Sequence, residues 1–295
     1  MDLEPFVLGS EPVIRLAFFL GVFAVVGLWE AVAPRRAPTV SKAMRWASNL
    51  GLVALNTLLL RLVFPLAAAG IAAFGTANGW GLLNHFPVPF WVAVPVAVVA
   101  MDFVIWLQHV MVHAVPALWR VHRVHHADLD FDVTTGARFH PIEIGLSMLI
   151  KFATITVLGP PVLAVVIFEV LLNATAMFNH GNIRIPGGVD RVLRWWVVTP
   201  DMHRVHHSVD DDETNSNFGF NLPWWDRLFG TYRAQPRAGH QAMTIGIHGH
   251  TDPREVARLG GMLMLPFRGE DDGYAINRRD GRGEFERHSR WHEPV

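Results

Sequence analysis

Ten of the sixteen histidines in this chain lie between His109 and His207, and eight of those ten fall into three tight groups. His109 and His113 are four residues apart, and His122, His125 and His126 form an H-x-x-H-H motif. His203, His206 and His207 repeat that spacing 81 residues later. On a helix, positions i, i+3 and i+4 share one face, so each H-x-x-H-H is expected to aim three imidazoles in one direction and H-x-x-x-H two. Imidazoles at such spacing are a common grip for a transition metal. A histidine-rich chain can produce one such motif by chance, but hardly two and a third pair within a hundred residues. A structural zinc site typically holds one ion with four ligands. Eight imidazoles exceed what one four- to six-coordinate ion can use, so the simplest expectation is two metal ions side by side.

The elements that must position these groups read as membrane helices. Apolar residues make up 51% of the 295 residues and charged residues 17%, with 11 Trp and 19 Phe against 2 Tyr, a membrane-like profile. A net charge of −1 offers no basic face to nucleic acid. The absence of cysteine excludes disulfides, zinc–thiolate sites, iron–sulfur clusters and a cysteine nucleophile, and leaves nitrogen and oxygen to hold any metal. No H-E-x-x-H occurs, which argues against a membrane zinc protease.

Apolar runs cover about Val13 to Ala33, Ala47 to Phe74 (interrupted by Arg61 and Pro65) and Phe90 to Val115. The first has the length of a bilayer crossing and lacks the basic head and cleavage site of a signal peptide. A fourth stretch, Ile142 to Met177, is too long for one span, and Gly159-Pro160-Pro161 divides it into an expected hairpin of two short helices. Glu270 to Val295 is charged and glycine-bearing, which predicts a disordered tail. The connections after the first span (Arg35, Arg36, Lys42, Arg45), after the third (Arg120, Arg123, Arg138) and after the hairpin (Arg184, Arg191, Arg194) are basic, whereas Gly75 to Phe90 has no Lys or Arg. By the positive-inside rule all three histidine groups then share the cytoplasmic face. A site under a membrane cavity suggests a lipid substrate, whose alkyl chains offer C–H bonds. Imidazole suits zinc, copper, iron and nickel alike, but C–H activation needs a redox metal, hence iron over zinc.

Around the histidines, individual residues take expected roles. Asp102 lies two turns before His109 on the same face and reads as a carboxylate hydrogen-bonded to the far nitrogen of a ligand histidine; the bland alternative is a packing acid. His180, in N-H-G-N, is favoured as a ninth ligand, and His140, in R-F-H-P, as a neighbour. Trp224, Trp225, Leu228 and Phe229 read as an aromatic belt at the membrane interface or a tunnel lining. His240, His248, His250, His288 and His292 read as surface or loop residues.

From about Asp102 to Arg233 the chain resembles the fatty acid hydroxylase and sterol desaturase superfamily, the integral-membrane histidine-box non-haem di-iron enzymes. The resemblance rests on H109-x-x-x-H113, W119-R-V-H122-R-V-H125-H126, T135-G-A-R138-F-H140-P141-I-E143 and N179-H180-G-N182. It continues through T199-P-D-M-H203-R-V-H206-H207-S and N217-F-G219-F-N-L-P-W-W-D226-R-L-F-G-T-Y232. It implies an all-α integral membrane protein of four to five transmembrane or hairpin helices with a cytoplasmic, helical, histidine-rich metal domain. Its expected parts are N-terminal helices (1–100), a catalytic domain (101–235) and a C-terminal region (236–295).

The resemblance assigns His109, His113, His122, His125, His126, His203, His206 and His207 to the metals, with His180 as the extra histidine. Asp102, Asn217 and Asp226 would support them. It implies two non-haem iron ions, O2 as co-substrate, a lipid substrate and hydroxylation or desaturation. No haem or flavin is expected on this chain, so electrons would come from a separate ferredoxin or cytochrome with its reductase. The implied place is a membrane crossed several times, which for a bacterial protein is the inner or plasma membrane, with the histidine boxes on the cytoplasmic side. The rival readings are a carotenoid or sterol hydroxylase or desaturase, and a non-catalytic membrane metal-binding protein.

Overall fold

The computed structural model describes residues 3–64, 66–269 and 273–276, and all regular structure among them is helical. Ten helices lead to the last histidine motif. They are α1 (Leu3–Val32), α2 (Lys42–Val63), α3 (Ala68–Ala77), α4 (Leu82–His85), α5 (Phe90–Ala114), α6 (Pro116–His126), α7 (Pro141–Leu158), α8 (Val162–Asn179), α9 (Gly187–Leu193) and α10 (Pro200–His206). Five runs are long and apolar enough to cross a membrane: Glu4–Val32, Lys42–His85, Phe90–Ala114, Pro141–Leu158 and Val162–Asn179. The run anticipated over Ala47 to Phe74 is in fact two helices, α2 and α3.

The hairpin forms where the proline pair requires it. Gly159 ends α7 in the left-handed region (φ 64°) and Pro161 caps α8. A side chain on Gly159 would collide with the backbone of Trp80, so the α3–α4 turn and the hairpin turn pack against one another at one end of the bundle. At the opposite end the chain leaving α1 meets the chain leaving α8, with Arg35 N–H donating to the carbonyl of Asn182 at 2.9 Å. The histidines lie at this second end.

Small residues let the helices approach: Ala69 and Ala72 on α3, Ala97 on α5 and Ala164 on α8 are buried in one core with Met101, Ile155 and Phe168. Leu16, Phe18, Leu20, Val25 and Leu28 on α1 are exposed, as suits a face turned to lipid. A second core beneath the histidine domain gathers Leu52, Trp119, Val124, Ile247, Val256, Met262 and Tyr274.

Tyr274 corrects the expected tail. Gly273 to Ile276 are described, Tyr274 and Ala275 are buried, and the Tyr274 ring stacks on Trp119 at 5.5 Å. An aromatic amid charges found a pocket on α6 that composition alone could not reveal. The rest of the expected tail, including His288 and His292, lies outside the described residues. His240 is neither at the surface nor in a loop, being buried on a short helix over Gly239–Ala242; His250 is buried within a loop, and His248 is exposed in its loop.

Candidate metal centre

Four helices deliver the histidines. The last two turns of α5 carry His109 and His113, and Pro116 starts α6, which ends on His122, His125 and His126. His180 caps the C-terminus of α8. Thr199 caps α10 by accepting from the N–H of Met202, Pro200 occupies its first turn, and His203, His206 and His207 follow.

All nine histidines are buried and come together in two groups, each with its ligand nitrogens within 4.8 Å of one another. His109, His113, His122, His126 and His206 form the first; His125, His180, His203 and His207 form the second. Each H-x-x-H-H is therefore split between the groups rather than aimed at one point. Positions i and i+4 of the first motif go to one group and i+3 to the other, while the second motif reverses the assignment. The groups touch: the rings of His126 and His207 stack at 4.5 Å, and His203 and His206 lie at 5.0 Å. His140 belongs to neither. It caps α7 through Ile142 N–H and faces the carbonyl of Leu263 at 3.3 Å.

Hydrogen bonds on the outer nitrogens decide which way the rings face. Nδ1 of His109 donates to the carbonyl of Phe218, that of His206 to Ser216 and that of His122 to Glu143 Oε1, each at 2.7 Å. His113 Nδ1 meets Asn215 Oδ1 at 3.1 Å, and the Asn215 amide is itself fixed by donation to the carbonyl of Tyr274. In the second group His180 Nδ1 donates to the carbonyl of Ala176 at 2.7 Å.

With Nδ1 protonated, a neutral ring presents a bare lone pair at Nε2. Yet His109 Nε2 lies 3.2 Å from His122 Nε2 and 3.0 Å from His206 Nε2. His180 Nε2 lies 3.1 Å from His125 and His203 and 3.2 Å from His207. Three lone pairs cannot hydrogen-bond one another, and at most one neighbour can donate to His180. Ligands about 2.1 Å from one ion stand roughly 3.0 Å apart at right angles and roughly 3.4 Å apart in a tetrahedron. The donor set and its spacing thus fit a cation at the centre of each group. Nε2 of His113 and both nitrogens of His126 have no other partner.

Burial holds the imidazoles of His125, His126, His203, His206 and His207 well below their ordinary pKa, with neighbouring imidazoles adding to the effect. Burial likewise takes His180 down to about 3. The rings are neutral at pH 7, the form that ligates metal.

The supporting residues only partly follow the sequence reading. Asp102 touches no histidine; its Oδ2 accepts from Trp225 Nε1 at 2.8 Å. His109 Nδ1, the nitrogen Asp102 was expected to hold, donates instead to the Phe218 carbonyl. Asn217 also touches no histidine. It sits at φ 50° and binds the carbonyls of Met202 and Arg233 and the N–H of Arg233. That turn aims the carbonyls on either side of it, Ser216 at His206 and Phe218 at His109. Asp226 steadies the same turn by accepting from the N–H groups of Phe218 and Gly219, at 2.9 and 2.8 Å, and from Trp106. Burial raises the pKa of its carboxyl against those donors.

Three residues without an assigned role complete the surroundings. Glu143, in the first turn of α7, holds His122; an acid just after the helix-starting His-Pro was its only sequence signal. Buried Arg45 on α2 grips Asp128 (2.6 and 2.8 Å) and Asp132 (2.6 Å) and so ties down the turn that follows His126. Burial would raise the Asp128 carboxyl, but Arg45 and Arg138 outweigh it and hold it well below the carboxylate range.

A cavity of about 260 Å³ opens from the first group into the bundle. His109, His122, Phe139 and Phe220 line its metal end, and Phe19, Leu60, Met148 and Leu172 line its walls among α1, α2, α7 and α8.

Five apolar helices over two buried histidine groups define a multi-pass membrane protein of the histidine-box type. Residues 94–231, a little under half of the chain, match the fatty acid hydroxylase family model. It is similar to the ornithine lipid hydroxylase OlsE of Rhizobium tropici, at 28% identity over 66% of this chain and 57% of that one. It is also similar to the alkylglycerol monooxygenases of Xenopus tropicalis (29% identity; 45% of this chain, 28% of that one) and Homo sapiens (28%; 47% and 30%). The aligned region thus spans little more than half of the first relative and under a third of the others. No solved structure matches the chain.

Proposed function

We propose that this protein is a di-iron, O2-dependent lipid hydroxylase. The supporting observation is the meeting of two buried imidazole groups with a cavity, apolar along much of its wall, inside the membrane bundle. His109, His113, His122, His126 and His206 would hold one ion, and His125, His180, His203 and His207 the other. Two iron ions so held would supply the redox chemistry by which one atom of O2 enters a C–H bond and the other leaves as water, with two protons and two electrons from a separate donor such as a ferredoxin or a cytochrome with its reductase.

The chain's own contribution is positioning. The Nδ1 bonds to Glu143, Ser216, Phe218, Asn215 and Ala176 fix ring orientation before any metal arrives. Phe139 lies flat against His125, with centroids 4.4 Å apart, and with Phe220 keeps water from the cavity end of the rings. The apolar walls align an alkyl chain so that one of its carbons stops beside His109 and His122.

Within this reading residues 101–235 are the catalytic domain, residues 1–100 supply membrane helices and residues 236–295 cover the domain. The basic connections argue that the histidine end faces the cytoplasm. The chain has no native cysteine, so a single Ala238→Cys should react with an impermeant thiol reagent only in opened cells and Ala77→Cys in intact ones; the reverse pattern would invert the topology.

The test of function is lipid mass spectrometry of cells expressing wild type or His206→Ala. A lipid heavier by one oxygen, present only with wild type, is expected. A product lighter by two hydrogens would make the protein a desaturase instead, and identical lipid profiles would refute the reading.

A further inference from the structure

Polar atoms in the cavity wall are not all matched. Asn56 and Glu143, each more than nine-tenths buried, line the cavity near its metal end, and each has a buried oxygen with no hydrogen-bond partner. The Asn56 amide donates from Nδ2 to the carbonyl of Phe139 at 2.8 Å, which fixes the orientation of the amide and makes Oδ1 the free atom. Glu143 spends Oε1 on His122, and Oε2 is unpartnered. Gln108, also in the wall, adds a third unpartnered oxygen, Oε1.

The charged donors in the wall are already spoken for. Lys151 lies eight residues beyond Glu143 on α7, about 12 Å further into the bundle. It pairs with Glu169 at 2.7 Å, and Arg15 pairs with Glu11 at 2.7 Å and Glu169 at 3.0 Å. The deep charges therefore close on one another and join α1, α7 and α8. What remains near the metal end are the unpartnered oxygens of Asn56, Glu143 and Gln108, an arrangement that is costly to bury empty and that an alkyl chain leaves unsatisfied.

We propose that Asn56, Glu143 and Gln108 form a subsite for the polar head of the substrate, and that this head carries hydrogen-bond donors, hydroxyl or ammonium hydrogens, close to the reacting carbon. The inference rests on the lipid-hydroxylase reading and narrows its substrate class: a lipid with a donor-bearing head rather than a hydrocarbon, a sterol skeleton or a simple acyl ester. The head sits at the acceptors, the reacting carbon beside His109 and His122, and the tail runs along the apolar wall toward Lys151. No bond changes in this binding step.

Direct binding to the metal-loaded protein in lipid nanodiscs tests it without turnover. The probes are a monoalkyl glycerol, an alkylamine and the di-O-methyl ether of the first, all with one chain length. The ether, which has lost its donors, is expected to bind about 10–100-fold more weakly than the glycerol or the amine. Whichever of these two binds more tightly identifies the donor as hydroxyl or ammonium. Asn56→Leu and Gln108→Leu should each shrink the difference between the ether and the donor-bearing probes severalfold. Equal binding of all three probes by the wild type would overturn the proposal, whether or not the variants fold. Oxygenation of the ether as efficient as that of the glycerol would also overturn it while leaving the hydroxylase reading intact. Discrimination in binding with no oxygenated product from any probe would uphold the subsite and refute that reading.

Discussion

His122 donates from Nδ1 to Oε1 of Glu143 across 2.7 Å, and both side chains are buried. The bond fixes the tautomer of His122 and turns its Nε2 toward His109. Removing such a partner typically costs 10–100-fold in metal affinity. Glu143→Leu is therefore expected to weaken metal binding by about that factor, measured by chelator competition, and Glu143→Gln, which keeps an acceptor, by much less. Unchanged affinity in the leucine variant would remove Glu143 from the account of the site.

Gly136 reaches the second group through one carbonyl. A methyl at this position would collide with the carbonyl of Ala176, the acceptor for His180 Nδ1, and would crowd that nitrogen itself at 3.2 Å. Gly136→Ala should lower occupancy of the His125–His180–His203–His207 group and spare the other, which metal stoichiometry would show as loss of about half the bound metal. A full complement would mean that His180 needs no fixed acceptor.

Arg45 and Asp128 are a buried pair that joins α2 to the turn after His126. Leaving one charge of such a pair unmatched typically costs about 3–5 kcal/mol. Arg45→Met and Asp128→Leu should each lower stability to unfolding in detergent by that order, and the double variant by less than their sum. Additive losses would show that the two residues act independently.

Acid should loosen the fold in a defined direction. Burial keeps His180 neutral down to about pH 3 and holds His125, His126, His203, His206 and His207 well below 6.5. The unfolded chain takes up protons on these residues below about pH 6.5, so it binds more protons than the folded one, and stability falls as pH drops through that value. The metal-free thermal midpoint should be highest above pH 7 and decline steeply by pH 5.5. A flat or rising profile would mean that the imidazoles are charged in the fold.

The membrane helices and eight of the nine gathered histidines were legible in the sequence because apolar runs and i, i+3, i+4 spacing are local properties; His180 has no such spacing and is favoured only through its N-H-G-N segment and the family resemblance. The division of the histidines was not. Helix spacing places His122, His125 and His126 on one face, but only the arrival of His180, His203 and His207 beside His125, and of His206 beside His126, sends His125 to one group and its two neighbours to the other. The outer acceptors were hidden for a different reason. Ser216 and Phe218 act through carbonyls, which every residue has, and only the positive φ of Asn217 between them marks the turn that aims them. Asp102 illustrates the reverse error, since position on the face of His109 does not say which side of the helix its neighbour will fill.

The central claim is that the two histidine groups each hold one iron ion. Anaerobic reconstitution with ferrous iron, followed by metal analysis and Mössbauer spectroscopy of the washed protein, tests it directly. Two ions per chain are expected, falling to about one in both His109→Ala and His180→Ala, each change confined to its own group. A single ion in the wild type, or two that survive loss of either histidine, would contradict it.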